Sequence, residues 1–568
     1  MAKFLLGLIT GVVLCVFFVV IVIAAAATFS GRGAAVADGS TLVLDLSGEI
    51  LERNPVTVSS VLAPAASRPT LMEVRDLLKK AAVDRRVNGV VVKLNGLRAG
   101  WGKAEEIRAG LEEFRKSNKP LVAFLQVAGM RDYYIASAAD RIYAAPEGLL
   151  DVKGLRAEVM FFKNTLGKLG IVADMEHVGK YKSFSEPFTR DRMSEEYREV
   201  TNSILDVVLG QFLAKVAPAR RMKPEDLRAA LDRGPFLPAE ARRAGLADDL
   251  LYEDQVFEEV RKRAQAKSFQ RLKPQDYSRI SLESLGLAGG SRIALVYAVG
   301  DIWRGEDDLE DDIGSDSLSR VLREVGEDRS IQGVIVRIDS PGGDSIASDQ
   351  LWREMNRLSR KKPMVVSLSD VAASGGYYMA MSGDPVVAYP GTFTGSIGVV
   401  FGKVNLKGLY DKVGITKEIL SRGKFAEIDT DYRSFTPAER AKVLQAIEQV
   451  YRAFVAKVAE SRKRPAEEID ALAQGRVWLG SQARDNGLVD ELGGLDRAVE
   501  LVKQRARLNK EDKVTLVAYP PQKKLLDLIL TRLGAVSGDD PVVAGIRRKL
   551  RLLNGGLLKM SHYSITVQ

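Results

Sequence analysis

The sequence predicts an α/β protein of two tandem repeat domains with parallel sheets, set behind a single N-terminal transmembrane helix. Three observations carry this prediction. Segments separated by 244 residues match along most of the chain, as in "GVVVK" at 89–93 and "GVIVR" at 333–337. Within each copy, short β-branched runs alternate with amphipathic helices, the pattern of βαβ units and a parallel sheet. Ahead of both copies, residues 4–29 carry no charge.

The elements follow in order. The uncharged run "FLLGLITGVVLCVFFVVIVIAAAATF" would reach about 39 Å as a helix, more than the roughly 30 Å of a bilayer core. With Lys3 before it, the positive-inside rule sets residues 1–30 as an anchor whose N-terminus is cytoplasmic, leaving the bulk of the chain outside. A cleaved signal peptide is the competing reading, given the small residues "AAAAT" at 24–28, but its apolar region is normally about 7–15 residues. The first repeat occupies 40–275, with strands at "GVVVKL" and "PLVAFL" and helices over 104–116 and 194–216. A Gly/Ser-rich joint, "LESLGLAGGS" (282–291), leads to the second repeat at 291–520. There, strands at "GVIVRI" and "PMVVSL" accompany helices over 348–360 and 437–461. The match continues through "YYIASAADRIYAAPEG" (from Tyr133) against "YYMAMSGDPVVAYPGT" (from Tyr377), with a one-residue slip near Pro120 and Pro363. The tail, 521–568, holds the basic amphipathic "IRRKLRLLNGGLLKM", suited either to a membrane surface or to packing on its own domain.

Composition excludes several classes. The single cysteine, Cys15, lies inside the apolar run, so an intrachain disulfide framework, a Cys-rich zinc site and a cysteine protease are all ruled out. Two histidines, His177 and His562, are too few for a histidine-rich metal centre. The net charge is +9, yet acidic and basic residues interleave, which indicates a solvated surface and no nucleic-acid partner.

The chemistry lies where the repeats differ. In "DVAASGGYYM" (370–379), Ser374 stands among small residues with Gly375 and Gly376 directly after it; the residue 244 earlier is Met130, followed by Arg131 and Asp132. "DSPGGD" (339–344) likewise corresponds to "NGLRAG" (95–100), and Lys182 of "VGKYKSFSEPF" corresponds to Ala426. Each half therefore holds what the other lacks. A serine hydroxyl needs a base to become a nucleophile, and a neutral lysine amine can serve. Its pKa must first come down from about 10.4 toward neutrality, at a cost of about 4 kcal/mol supplied by burial or nearby positive charge. Lys180, two residues away, would push in the same direction by its charge; the alternative is a solvated side chain. Backbone N–H groups of Gly375 and Gly343 are candidates for an oxyanion hole. Bland readings stand beside these: Ser374 as a small packing residue and Lys182 as a surface lysine. A third alternative makes His177 the base, with Glu176 only its sequence neighbour.

"DSPGGD", "SDVAASGGYYMA", "GTFTGSIGVV" and "VGKYKSFSEPFTRDRMS" together resemble the signal peptide peptidase A family, in its long tandem-repeat bacterial form, from the anchor to about residue 520. The resemblance implies ClpP/crotonase-like domains built of ββα repeats, and a membrane-anchored serine endopeptidase without a cofactor. It places the nucleophile on Ser374, the general base on Lys182 and a lysine-orienting hydroxyl on Ser396. Ser396 reads equally as a turn serine in a Gly-rich loop. The resemblance further implies signal-peptide substrates, the bacterial inner membrane with catalytic domains on its outer side, and a homotetramer in which the dyad forms within or between chains. Two alternatives are a crotonase-type acyl-CoA enzyme, which needs carboxylate acid/base groups, and a non-catalytic scaffold.

Overall fold

The computed structural model describes residues 36–54, 69–307 and 312–521, together with Gly7 and Gly11. The expected transmembrane anchor and the C-terminal tail beyond 521 lie outside the described residues.

Repeat one is built from β1 (Ser40–Glu49), α1 (Leu71–Val83), β2 (Val87–Arg98), α2 (Trp101–Arg115), β3 (Leu121–Gly129), α3 (Met130–Ala136) and β4 (Arg141–Asp151). There follow α4 (Lys163–Leu169), β5 (Val172–Val178), α5 (Glu195–Ala219), β6 (Asp249–Leu250) and β7 (Gln270–Leu272). Its sheet runs β6-β4-β3-β2-β1-β7, and every pairing in it is parallel. Repeat two begins with β8 (Ser291–Val299), β9 (Ile302–Trp303), β10 (Ile313–Gly314), β11 (Ile331–Ser340), α6 (Ser345–Ser359), β12 (Met364–Ala373) and α7 (Gly375–Met379). It continues with β13 (Val386–Ala388), β14 (Phe393–Gly395), β15 (Val399–Asn405), α8 (Lys407–Val413), α9 (Pro437–Arg462), β16 (Val477–Leu479), β17 (Glu491–Leu492) and β18 (Val514–Tyr519). The second sheet keeps the plan, β16-β14-β12-β11-β8-β18, with β13 pairing β12 off this path and β17 pairing β13; only β14–β16 is antiparallel.

The predicted strands are uninterrupted apolar runs because both faces of each sheet are covered. In repeat one, Leu42, Leu44, Val90 and Val92 face the main core with α5, while Val43, Val91 and Val122 face a smaller cluster with Val256 and Val260. Repeat two repeats the division, with Ile293, Leu295 and Ile335 packed on Leu501 and Val502. Helices α2 and α6 begin three residues before their predicted starts. In α6 the reason is Asp344, whose side chain accepts from the N–H groups of Ile346 and Ala347 and sets the cap upstream. Among the described residues, α5 is long and apolar enough to cross a membrane. Its Val200, Ile204, Val208, Phe212 and Val216, spaced four apart, are buried in the repeat-one core, as expected of one helix face.

The repeats meet in two places that matter for the site. Antiparallel β5 and β15 join them, from Val172↔Asn405 to Val178↔Val399. The N-terminus of α2 also docks against β12. Both carboxyl ends of β11 and β12, where open α/β sheets hold their ligands, therefore face groups from the other repeat.

Candidate active site

Ser374 follows β12 directly and caps α7. Its backbone sits at φ 52° and ψ −117°, a region in which a non-glycine residue is strained and persists only when its surroundings enforce it. They do so here: Ser374 N–H donates to Gly395 O at 2.8 Å, and its own carbonyl accepts from Tyr378 N–H at 2.8 Å. The side chain is fully buried.

Lys182 comes from repeat one, in the turn after β5. Its Nζ lies 3.1 Å from Ser374 Oγ, 2.9 Å from Ser396 Oγ and 3.0 Å from Ser396 O. The two half-sites thus join within one chain. Lys182 is only 2% exposed, and all three partners are neutral oxygens. Burial without a countercharge brings its pKa down from 10.5 to about 7. Of the two readings of Lys180 the solvated one holds: the side chain is exposed and lies over the Tyr181 ring at 4.9 Å. His177 is exposed on β5, with Nδ1 3.1 Å from Gly179 O.

Ser396 takes part in the amine's coordination, and its own N–H is held by Arg476 O at 2.8 Å. Sequence reasoning misses the far wall of the lysine site. Tyr181 N–H donates to Gln474 O at 2.8 Å, and Gly475 lies so close that a Cβ there would stand 2.6 Å from Lys182 N and Cβ. Nothing in "LAQGRVWL" marks Gly475, since a glycine after a short helix is an ordinary stop signal.

The turn "SPGG" is shaped from β9. Ile302 N–H donates to Gly342 O at 2.9 Å, and Ile302 O accepts from Asp344 N–H at 2.9 Å. Because a trans peptide sets its C=O and N–H in opposite directions, turning the Gly342 carbonyl toward β9 aims the Gly343 N–H the other way. That way lies Gly375: a Cβ on Gly375 would be 3.1 Å from Gly343 N. Gly343 itself has φ 154°, and a Cβ there would overlap the Ile302 carbonyl, so only glycine fits. Two amides beside a serine with a neutral amine in reach can hold the oxyanion of an acyl-transfer intermediate. Among the described residues, no group of three or more His, Cys, Asp or Glu is placed to hold a metal ion.

The model of Peptidase family S49 matches residues 113–267 and 356–509, once in each repeat. The chain belongs to peptidase family S49. Among S49-type relatives, it is 36% identical to the chloroplastic serine protease SPPA of Arabidopsis thaliana, over 92% of this chain and 77% of the relative. It is 31% identical to Protease 4 of Salmonella typhi, over 86% of this chain and 81% of that protein. Protease 4 of Haemophilus influenzae matches at 31% over 75% and 72%. This S49 chain is a serine protease, and the two-repeat α/β fold expected from the sequence is the one it adopts.

Proposed function

We propose that this S49 protease is a membrane-anchored endopeptidase that cleaves apolar peptides of the signal-peptide type with a Ser374/Lys182 dyad. The reading rests on one observation: a buried amine with no countercharge stands 3.1 Å from a serine hydroxyl held in a strained turn. The neutral Lys182 amine takes the Ser374 proton as Oγ attacks the scissile carbonyl carbon. The resulting oxyanion accepts from Gly343 and Gly375 N–H. The Lys182 ammonium then gives its proton to the departing peptide amine, leaving an acyl-Ser374 ester. The same amine then takes a proton from a water that attacks the acyl carbon; the Lys182 ammonium returns that proton to Ser374 Oγ as the C–Oγ bond breaks and the acid product leaves. Ser396 orients the amine, and no metal or cofactor enters these steps.

A fluorophosphonate probe followed by peptide mapping tests the reading. Label is expected on Ser374, and no labelling at any pH in the folded protein favours a scaffold. Gly343→Ala, which pushes the turn off Ile302, is expected to lower kcat by about 100-fold or more. Wild-type kcat in that variant would remove Gly343 from the oxyanion hole.

The substrate class rests on the resemblance to the signal peptide peptidase A family; the uncharged run 4–29 with Lys3 before it would hold the site beside the bacterial inner membrane, on its outer side, where cleaved signal peptides remain. Repeat symmetry supports a head-to-tail ring of copies, and the resemblance to the signal peptide peptidase A family makes that ring a homotetramer. Strand β5 plus 244 is 416–422 and β15 minus 244 is 155–161, yet neither segment is a strand within one chain. Residues 155–161 have the in–out alternation of a strand, with Leu155, Ala157 and Val159 on the core. Residues 411–420 are exposed throughout, Leu420 at 86%. Pairing 416–422 of one copy with 155–161 of the next would repeat the β5–β15 junction head to tail and close a ring. Ile419→Asp with Leu420→Asp is expected to lower the mass seen by light scattering to that of a monomer; an unchanged mass would place the contact elsewhere.

A further inference from the structure

A second concentration of buried charge lies behind the site, where α2 of repeat one reaches the ends of β11 and β12. Lys103 Nζ is 2.7 Å from the Asp339 carboxylate and 3.5 Å from that of Asp370. Asp370 also accepts from the N–H groups of Gly100 and Lys103, both at 2.8 Å, and so caps α2 from the other repeat. Asp339 accepts in turn from Val371 N–H at 3.1 Å. The two aspartates stand four residues before Gly343 and Ser374 respectively.

We infer that Lys103 is a positioning residue: through Asp339 and Asp370 it holds the oxyanion turn and the nucleophile turn in mutual register. The inference rests on the reading of Ser374 as nucleophile.

Three observations carry it. First, the β11–β12 ladder is irregular just here. Pairing runs regularly to Ile338↔Leu368, then breaks and resumes at Ser340↔Ala372. At a bulge of this kind a strand is re-aimed and its ladder bonds are lost, so side-chain links across the gap fix the relative position of the two turns. Second, α2 is shaped for the contact. Gly100 offers no cap of its own, and a Cβ there would overlap the Asp370 carboxylate, while one on Gly102 would stand 2.7 Å from Ser369 O. Third, the link is one-sided. The residues related by 244 to Gly100, Lys103, Asp339 and Asp370 are Asp344, Ala347, Asn95 and Gln126. Repeat two caps its own helix with Asp344, whereas the degenerate turn of repeat one takes its cap from the active half. Lys103 is buried, which works against its charge, but Asp339, Asp370 and Glu52 more than offset that and keep it an ammonium. Truncating one partner of such a buried set leaves the others uncompensated.

The test uses the full-length protein and compares Lys103→Met, Lys103→Arg, Asp370→Asn and Ser374→Ala. Misplacing reacting groups by even 1 Å costs about 100-fold, so Lys103→Met is expected to lower kcat by about 10- to 100-fold. KM is expected to change by less than about threefold, and fluorophosphonate labelling of Ser374 to slow in parallel with kcat. Lys103→Arg, whose guanidinium can bridge both carboxylates, is expected to recover most of the loss. A Lys103→Met protein that melts earlier but keeps wild-type kcat and labelling rate overturns the inference, since Lys103 would then only dock the repeats. If Lys103→Met fails to fold, folded Asp370→Asn decides: lowered kcat at similar KM supports the clamp, and wild-type kcat overturns it. Ser374→Ala separates the two claims. If it still cleaves, the nucleophile assignment is wrong; if it is inactive while Lys103→Met is unimpaired, the clamp alone is wrong.

Discussion

Ser374→Ala is expected to abolish peptide cleavage, lowering kcat by at least about 10⁴-fold, while leaving the fold intact. The substitution removes one buried oxygen atom. It keeps the Ser374 backbone bonds to Gly395 and Tyr378 that hold the turn. Loss of activity with an unchanged melting curve therefore identifies a chemical role. His177→Ala is the control: the imidazole is exposed and bonded to Gly179 O, and cleavage should continue nearly as in wild type. Cleavage by a folded Ser374→Ala protein that resists a fluorophosphonate would assign the nucleophile elsewhere.

Lys182→Met is expected to lower kcat by a comparable factor and to erase two pH dependences together. In the wild type, kcat/KM should rise with pH through about 7, as the buried amine loses its proton, and level off above. Stability should respond in the same direction. The native amine has its pKa near 7 against 10.5 for the ordinary side chain, so between these values the unfolded chain binds more protons than the native one. Stability then rises with pH across that window, by up to about 1.4 kcal/mol per pH unit for one proton. Below pH 7 both states are protonated, and burying the ammonium costs the native state about 5 kcal/mol. Methionine fills similar volume without a charge, so the difference in unfolding free energy between wild type and variant should narrow as pH rises from 7 toward 10.5. Denaturant titrations at several pH values measure this. A difference independent of pH would mean that the lysine is not buried as an uncharged amine, and with it the general-base assignment would fall.

Much of the site is legible in the amino-acid sequence because it is written as a difference between two copies. Met130 opposite Ser374, and Ala426 opposite Lys182, mark a hydroxyl and an amine that shared ancestry alone would not distribute this way. Glycines at 343 and 375 are legible for a related reason, as backbone close to a reacting atom tolerates little else. The part played by Lys180 is not legible, since nearness in sequence does not fix where a flexible side chain points; in the fold it is exposed and lies on Tyr181.

Other parts have no local signature. Gly475 packs on Lys182 from the far end of the other repeat, and it reads as an ordinary helix stop. Lys103 sits in "AGWGKAEE", an unremarkable helix start, until α2 is seen to take its cap from Asp370 of the other repeat.

Pattern along the chain is enough to establish the duplication, the alternation of strand and helix, and the choice of a hydroxyl and an amine as the candidate reacting groups. Periodicity and repeat spacing act directly on each of these. The folded molecule was needed to learn that serine and amine meet within one chain, that burial alone brings the amine near neutrality, and that repeat one reaches behind the strand leading to Ser374. Those outcomes depend on contacts between residues far apart in sequence, and on the exclusion of water from the space they enclose, neither of which has a counterpart in local composition.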